Sequence, residues 1–296
     1  MPVTHDRHAT LVALARRVGL DAPGLADRVE SDGPGIALAA ALGAETSLLP
    51  DSPEPLLEAA NEAIAHWCAG GIRPVSVLDG DYPENLRAVH DRPALVFVSG
   101  ALRPPDRRAI AVVGSRQASE RERRTARMLA HDLVAAGHTV VSGLAAGIDA
   151  AVHRAALEAS GRTIAVIGTG HEHAYPPENA ELQRTLAADQ AVLSPFWPET
   201  PPSPDGFRRR NGVMSGVSRG TLIVAATQRS GTRVQARLAL AHGRPVFLLA
   251  PLLAQPWAAE LAERPNVHVV ESAGEILAVT ERLHDPAPPH GPSHTS

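Results

Sequence analysis

From residue 73 onward, short apolar runs rich in β-branched residues alternate with longer, alanine-rich stretches. There are nine such runs: PVSVL, ALVFVSG, AIAVVGS, TVVSG, TIAVIG, AVLSPF, TLIVAA, PVFLLA and VHVV. They lack the strict alternation of apolar and polar residues that marks a half-exposed strand, so they suit strands that are covered on both faces. Strands that alternate with helices imply right-handed crossovers. The pattern therefore predicts an α/β fold with a doubly wound, mostly parallel sheet.

The segment 119–136 illustrates how such a sheet is covered. One face of the predicted helix is apolar and much of the rest is basic. The apolar positions are Ala126, Leu129, Ala130 and Leu133, and the basic ones are Arg121, Arg123, Arg124 and Arg127. This spacing predicts an amphipathic helix packed on the sheet.

The first 70 residues have a different pattern, with helical apolar spacing in HATLVALARRVGL and in PEPLLEAANEAIAHWCAGG. The breakers SDGPG and LLPDSPEP divide this segment into short helices. We therefore expect a small helical domain over residues 1–70 and an α/β core over 71–280. Residues 281–296 are rich in Pro, Ser and His without periodicity, which predicts a disordered tail.

The cysteine content and the hydropathy pattern indicate the cellular compartment of the protein. The single cysteine, Cys68, excludes an internal disulfide framework and suits a reducing cytosol. No apolar run reaches membrane-spanning length, and the N-terminus lacks the charged-then-apolar pattern of a signal peptide. A cytoplasmic location is predicted.

The charge is unevenly distributed along the chain. All 28 basic residues are arginine, and the net charge is −4. Residues 1–70 carry −6 and residues 255–296 carry −4, whereas 103–130 carry +5 and 205–244 carry +7. A positive centre between acidic ends predicts an anionic partner for the middle of the chain.

Four of the predicted strands end in small or polar residues. These are Gly114, Ser115 and Arg116; Ser142, Gly143 and Gly147, with Asp149 just after; Gly168, Thr169 and Gly170; and Ser230, Gly231 and Thr232. Glycine lets the backbone approach a ligand or adopt positive φ, and helix N-termini attract anions. The carboxyl ends of parallel strands meet at one edge of a sheet, where ligands bind. We therefore predict a phosphate-lined groove in which Arg116 supplies a planar charge; purely structural turns are the alternative.

A second basic centre lies in PDGFRRRNGVMSGVSRG, residues 204–220. Its glycines, serines and proline predict a surface loop. Backbone phosphates need cations, and an unstacked base needs a flat partner. The residues that offer both are Phe207, Arg208, Arg209, Arg210 and Asn211. Single-stranded DNA is the predicted ligand; RNA, an acidic protein and a loop held by arginine–carboxylate pairs remain alternatives.

Several motifs occur in an order that resembles the DNA-processing protein A (DprA/Smf) family. They are GSR, SGLAAGIDAAVHRAAL, a GTG after a strand, YPPEN, F(x)RRNxxxxGxS and SGTxxxARLAL, preceded by DGDYPENL and RPALVFVSG. The resemblance covers residues 71 to about 250 and implies an extended Rossmann fold preceded by a helical, SAM-like domain. It also implies a homodimer that binds and protects single-stranded DNA in natural transformation and loads a RecA-type recombinase.

The resemblance also assigns positions and shows departures. It implies ligand contact for the four turns, for a rim at Tyr175-Pro176, and for Arg210 and Asn211. Gly212 stands where the family usually has a second arginine, Ala225 where it has glutamate, and Leu252 where it has glycine. No segment resembles the winged helix that follows the core in the family. The candidates for compensating lost charge are Arg208, Arg209, Arg229 and Arg233.

Two alternatives share this fold superfamily: a nucleotide-binding sensor and a nucleotide N-glycosidase. The glycosidases carry PGGxGTxxE, whereas this chain has RSGTRVQAR, with Gln235 in place of the glutamate. A neutral amide cannot act as that carboxylate does. We therefore predict a non-catalytic protein without cofactor or metal.

Other residues suggest catalysis or metal binding only by composition. Ser142, Asp149 and His153 have triad residue types, but a triad is defined by geometry. We expect Asp149 to cap its helix and His153 to pack on that helix. The run His171-Glu172-His173 has no third metal ligand at suitable spacing and predicts a solvated loop.

Overall fold

A computed structural model describes residues 7–43, 52–227 and 231–282 of the chain. Within these residues, nine strands form one sheet in the order β1-β2-β6-β5-β4-β3-β7-β8-β9. The strands are β1 Ile72–Ser76, β2 Leu95–Gly100, β3 Ala109–Gly114, β4 Thr139–Ser142, β5 Thr163–Val166, β6 Ala191–Ser194, β7 Gly220–Ala225, β8 Val246–Leu249 and β9 Val267–Val270. Each predicted apolar run overlaps one of these strands. The sheet is parallel from β6 to β9, and β1 and β2 add an antiparallel edge.

Twelve α-helices surround this sheet in the described part of the chain. They are α1 Arg7–Val18, α2 Leu25–Asp32, α3 Pro34–Gly43, α4 Glu54–Ala69, α5 Glu84–Arg87, α6 Glu120–Ala135, α7 Ile148–Glu158, α8 Ala180–Asp189, α9 Pro204–Val217, α10 Thr232–Ala241, α11 Pro256–Ala262 and α12 Ala273–Thr280. The predicted helix over 119–136 is α6, and its four predicted apolar positions are buried. None of the helices described is long and apolar enough to cross a membrane.

The order of the strands reverses at β3. The chain runs outward from β3 through β4, β5 and β6, then returns to β7 on the other side of β3 and continues through β8 and β9. Right-handed crossovers in opposite directions place helices on opposite faces of the sheet. The doubly wound, mostly parallel fold is therefore confirmed, and β3 lies at the reversal point where such sheets bind ligands.

The helices that precede the sheet pack against it through aromatic rings. Trp67 on α4 meets Phe97 edge-on at 5.1 Å between ring centroids, and it stacks on Trp197 at 5.9 Å. The guanidinium of Arg16 lies over the same two tryptophans. The helical pattern of this segment is confirmed; its independence as a domain over residues 1–70, beside a core over 71–280, stays a prediction. Of the predicted tail, residues 283–296 lie outside the described residues.

The predicted surface loop over 204–220 is wrong, because most of this segment forms α9. Ser203 caps the helix by accepting a hydrogen bond from the Gly206 amide at 3.0 Å, and Pro204 occupies its first turn. The glycines serve close packing: a Cβ on Gly206 would lie 2.7 Å from Gly168 O, and one on Gly216 would lie 2.5 Å from Leu86 Cδ1. Tertiary packing thus overrides their poor helix propensity.

Candidate functional site

The four predicted turns converge. They follow β5, β4, β3 and β7, which are consecutive neighbours in the parallel part of the sheet. A cleft of about 430 Å³ opens beyond the ends of β3 and β7, and we call it the strand-end cleft. It is lined by Val113, Gly114, Ser115, Arg116, Gln117, Ala145, Asp149, Phe207, Arg210, Asn211, Met214, Thr227, Gly231, Thr232 and Gln235. Ser230 and Arg229 lie outside the described residues.

Arg210 forms the buried floor of this cleft. Its Nη1 donates to Gly143 O at 2.5 Å and to Val166 O at 2.6 Å, and its Nε donates to Asn211 Oδ1 at 3.0 Å. The residue is 5% exposed, and burial lowers the pKa of its guanidinium to about 10, so that it stays charged at neutral pH. The sequence predicted an exposed loop cation. The structure instead shows an arginine that ties the end of β4 to the end of β5.

Asp149 faces the same floor. The N-cap of α7 is Gly147 and makes no side-chain capping bond, so the predicted capping role of Asp149 is wrong. Its carboxylate accepts a hydrogen bond from the Gly143 amide at 3.1 Å and holds the preceding turn. Burial raises the pKa of this carboxyl, whereas the charge of Arg210 and backbone hydrogen bonds oppose that shift.

The glycines of the turns allow other residues of the same chain to approach closely. A Cβ on Gly143 would overlap the Arg210 guanidinium, and one on Gly168 would lie 2.5 Å from Phe207 Cδ1. Gly147 has φ of +79° and its Cβ position lies 2.6 Å from Arg116 O. By contrast, within the described part of the chain no atom lies within 4 Å of a Cβ on Gly231. Most of the close approaches that the sequence suggested for a ligand are therefore made by the chain.

The remaining polar groups of the turns are also engaged. Ser115 Oγ accepts from the Gln117 amide at 3.1 Å, and Ser142 Oγ donates to Val112 O at 2.6 Å. Thr169 Oγ1 donates to His173 O at 3.1 Å. Ser142 and Thr169 are buried, whereas Ser115 is half-buried at the cleft mouth. Of these three hydroxyls, only that of Ser115 is open to a ligand.

An arginine and two aromatic rings form the exposed edge of the cleft. The guanidinium of Arg116 lies 5.2 Å from the ring centroid of Phe207, and the rings of Phe207 and Tyr175 lie 5.1 Å apart at 40°. Arg116 is exposed, Phe207 is half-buried and Tyr175 is 38% exposed. We call these three residues the aromatic rim. A flat cation beside two flat rings suits stacked bases and the phosphates between them.

The run of three arginines is divided by the helical twist of α9. Arg208 is exposed and lies 3.7 Å from Asp205, and Arg209 lies 3.2 Å from Asp21 and over the ring of Phe196. Both line a second cleft of about 470 Å³ between residues 20–27 and α9, and only Arg210 faces the strand-end cleft. Local composition predicts a loop here and therefore does not show this division, which depends on the helix.

The positions at which the sequence departs from the family pattern lie in different parts of the structure. Gly212 lines the second cleft and has open space around its Cβ position. Ala225 is buried at the end of β7, in register with Gly114. Residue 212 therefore lines the second cleft and does not line the strand-end cleft. Asn211 lies 3.5 Å from Gly231 O and joins α9 to the turn before α10.

The triad residue types do not form a triad. The imidazole of His153 is fully buried, with Nδ1 2.7 Å from Thr163 Oγ1, whereas Ser142 donates to a backbone oxygen. Burial lowers the pKa of His153 to about 3. His153 thus lies in the core and contacts β5, whereas the sequence predicts only packing on its own helix.

The segment 171–173 is less solvated than predicted. The imidazole of His171 is buried, and its Nε2 lies 3.1 Å from Val192 O, whereas His173 Nε2 lies 3.0 Å from Glu199 O. Burial lowers the pKa of His171 to about 4, so that the ring is neutral at physiological pH. The prediction of a solvated loop is wrong for His171, whose ring fixes the loop to β6.

Gln235 is buried beneath the cleft, and its Nε2 donates a hydrogen bond to Thr221 Oγ1 at 3.3 Å. Among the described residues that line the strand-end cleft, Asp149 carries the one carboxylate. Its Oδ2 accepts a hydrogen bond from the Gly143 amide at 3.1 Å.

The family model described as DNA recombination-mediator protein A matches residues 73–279. The chain belongs to this family. The recombination-mediator protein A core thus covers the whole sheet and the helices that form the strand-end cleft.

Among similar proteins, DNA processing protein DprA of Bacillus subtilis is 35% identical over 196 residues, covering 66% of each chain. Protein Smf of Escherichia coli is 42% identical over 59% of this chain and 47% of its own length. The chain thus spans between about half and just under two-thirds of the length of these curated relatives.

Solved structures share the fold. DNA processing protein A of Streptococcus pneumoniae superposes with a TM-score of 0.69 and 29% identity over 93% of both chains. DNA processing protein A of Helicobacter pylori, whose single-stranded DNA binding mode has been described, superposes with a TM-score of 0.63 over 72% of this chain and 97% of its own. At 22% identity, that second likeness concerns the fold alone.

Proposed function

We propose that this protein binds single-stranded DNA along the strand-end cleft, without catalysing a reaction. The observation that carries the proposal is the aromatic rim beside a buried, charged arginine. Arg116 contacts a ring and not a carboxylate among the described residues, so its charge is available to a phosphate. Phe207 and Tyr175 offer π-faces that accept any base, which favours sequence-tolerant binding.

The proposed contact set is narrower than the sequence indicated. Arg116, Phe207 and Tyr175 would touch the strand, together with Ser115 and the exposed Gly231. A positioning role is proposed for Arg210, Asn211, Asp149 and the glycines Gly114, Gly143, Gly147, Gly168 and Gly170, which hold that surface in shape. Arg208 and Arg209 would meet DNA only where the strand extends toward the second cleft.

The biological role follows from membership of the recombination-mediator family. We propose that the protein protects incoming single strands during natural transformation in the cytoplasm. We also propose that it acts as a homodimer and loads a RecA-type recombinase. Sedimentation at several concentrations tests the dimer. Recombinase filament formation on strands coated with single-strand-binding protein tests the loading.

A small nucleotide is the second candidate ligand. A cleft of about 430 Å³ has the size of a pocket for a small molecule, which favours this alternative. A mononucleotide would saturate the cleft and compete fully with an oligonucleotide, and affinity would then be independent of strand length. For a nucleotide N-glycosidase, the buried amide of Gln235 offers no acid or base.

The deciding experiment is a titration of the full chain with fluorescent oligothymidine at two salt concentrations. Wild type is compared with Arg116→Ala and with Arg237→Ala, which removes an exposed arginine of α10 that does not line the cleft. We expect tight, salt-sensitive binding that Arg116→Ala weakens about tenfold, with a salt slope smaller by about 1. Equal binding by Arg116→Ala and wild type would reject the proposed contact, and absence of binding by wild type would reject the function.

A further inference from the structure

Two histidines and an aspartate meet outside the strand-end cleft. His90 and Asp91 lie in the turn after α5, and His242 directly follows α10. One ligand atom from each residue lies within 4.8 Å of the other two. We propose that these three residues bind a divalent transition metal ion, with Zn²⁺ as the ion of choice, and we call them the His–Asp–His cluster.

The distances suit a small ion with short bonds. His242 Nε2 and Asp91 Oδ1 lie 2.8 Å apart, and the rings of His90 and His242 lie 5.7 Å apart at 74°. Tetrahedral zinc with bonds of about 2.0 Å separates its ligand atoms by roughly 3.3 Å. The three ligand atoms lie within 4.8 Å of one another, and the exposed side chains of His90 and Asp91 are the ones that would adjust to that spacing.

The buried member of the cluster is oriented by a further contact. The His242 side chain is 1% exposed, and its Nδ1 lies 2.6 Å from the Oγ of the fully buried Ser215. A ligating imidazole is commonly held through its second nitrogen, which fixes the ring and its tautomer. Nε2 faces the Asp91 carboxylate at 2.8 Å, and a metal ion bound between the two would take the place of the proton on Nε2 while Ser215 holds Nδ1.

The charges and the opening favour a cation with a free coordination position. Asp91 supplies a carboxylate oxygen 2.8 Å from His242 Nε2, so a negatively charged ligand lies beside the imidazole. The neighbouring Arg92 is balanced by Asp27 and Glu30. His90 and Asp91 also line the second cleft, which leaves space for water or a small ligand in the fourth position. Imidazole and carboxylate ligands suit Zn²⁺.

Metal binding would connect three parts of the core. The turn after α5 precedes β2, Ser215 lies in α9, and His242 directly follows α10. An ion bound by the cluster would join the turn to the end of α10. The contact between Ser215 and His242 would link both to α9, the helix that carries Phe207 and Arg210. We therefore expect the ion to stabilise the fold, since it binds the native arrangement and not the unfolded chain.

The test is a Zn²⁺ titration of the full, metal-stripped chain by calorimetry, with Co²⁺ as an optical probe. The test variant is His90→Ala/Asp91→Asn, which alters two exposed side chains. The matched control is His131→Ala/Asp132→Asn, an exposed His–Asp pair on α6 with its atoms 3.7 Å apart. The other histidines of the chain are present in all three proteins, so their background binding cancels in the comparison.

We expect wild type and control to bind one Zn²⁺ equivalent that the test variant lacks or binds at least tenfold more weakly. Wild type and control should also show the d–d absorption of a low-coordinate Co²⁺ site and a higher thermal midpoint with Zn²⁺. The proposal is overturned if the three proteins bind Zn²⁺ alike, or if wild type binds none. Circular dichroism establishes that the test variant is folded.

Discussion

The guanidinium of Arg210 occupies the space that a Cβ on Gly143 would fill, and its Nη1 donates to Gly143 O at 2.5 Å. This relationship determines the floor of the strand-end cleft. Gly143 is required because an arginine crosses the end of β4 at contact distance. The glycine turn that the sequence associates with a ligand is thus first a support for a buried cation.

Gly143→Ala should therefore destabilise the protein. The new methyl group displaces a buried charge from two carbonyl oxygens, so we expect the free energy of unfolding to fall by about 3 kcal/mol. Gly231→Ala is the matched control, because no atom of the described residues lies within 4 Å of its Cβ. Its effect should stay within about 0.5 kcal/mol. Urea denaturation measures both, and equal midpoints for the two variants would refute this role of Gly143.

Phe207→Leu should weaken binding of oligothymidine without changing its salt dependence. Stacking on an aromatic ring contributes about 1–3 kcal/mol per base, and the substitution removes no charge. Fluorescence anisotropy at several salt concentrations gives both quantities. Tyr175→Phe keeps a ring at 175 and serves as control, with an expected affinity close to that of wild type. A changed slope with unchanged affinity for Phe207→Leu would contradict stacking.

Gly212→Ala should stabilise the protein by about 0.5–1 kcal/mol, because alanine is the better helix former. The position lies within α9, and its Cβ would meet no atom within 4 Å. Gly216→Ala, four residues on, is expected to destabilise, since its Cβ would lie 2.5 Å from Leu86 Cδ1. Thermal or urea unfolding distinguishes the two. A destabilised Gly212→Ala would argue against a helix at this position.

Stability should fall with acidification through His171. Burial lowers the pKa of this ring to about 4 in the folded state. The unfolded chain, with an ordinary pKa of about 6.5, takes up a proton that the native state does not. The contribution of the His171 ring to the free energy of unfolding is therefore complete above pH ~6.5. As the pH falls toward 4, the free energy of unfolding decreases by up to about 1.4 kcal/mol per pH unit.

His171→Gln measures this contribution, because its amide can still donate to Val192 O but does not titrate. We expect the free energy of unfolding, obtained from urea denaturation, to depend less steeply on pH between pH 6 and 4.5. The difference in slope should correspond to the uptake of about one proton. His131→Gln, which alters an imidazole that is 63% exposed, should leave the dependence unchanged. An unchanged slope in His171→Gln would show that the ring is accessible to protons.

The sheet was predictable from sequence because its strands are buried on both faces. Runs such as AIAVV and TIAVI are mostly apolar, and the order of helices between them requires parallel neighbours. The convergence of the four turns then follows from topology alone. Local pattern and tertiary structure agree for the strands of the sheet.

The details of the site were not predictable to the same extent. Local composition indicates a loop over 204–220, whereas contacts of Gly206 with Gly168 and of Gly216 with Leu86 stabilise a helix there. Sequence also cannot show that Arg210 is buried while Arg208 and Arg209 face a different cleft. The pairing of Tyr175 with Phe207 and the meeting of His90 with His242 depend on residues that are far apart in the chain.

The most direct test of strand binding at the aromatic rim is photochemical cross-linking. The full chain is irradiated with oligothymidine that carries 5-iododeoxyuridine, and the modified peptides are mapped by mass spectrometry. We expect cross-links at Phe207 or Tyr175 that Arg116→Ala reduces and Arg237→Ala does not. Cross-links confined to residues outside 114–118, 172–179 and 204–211, or insensitive to Arg116→Ala, would show that the strand lies elsewhere.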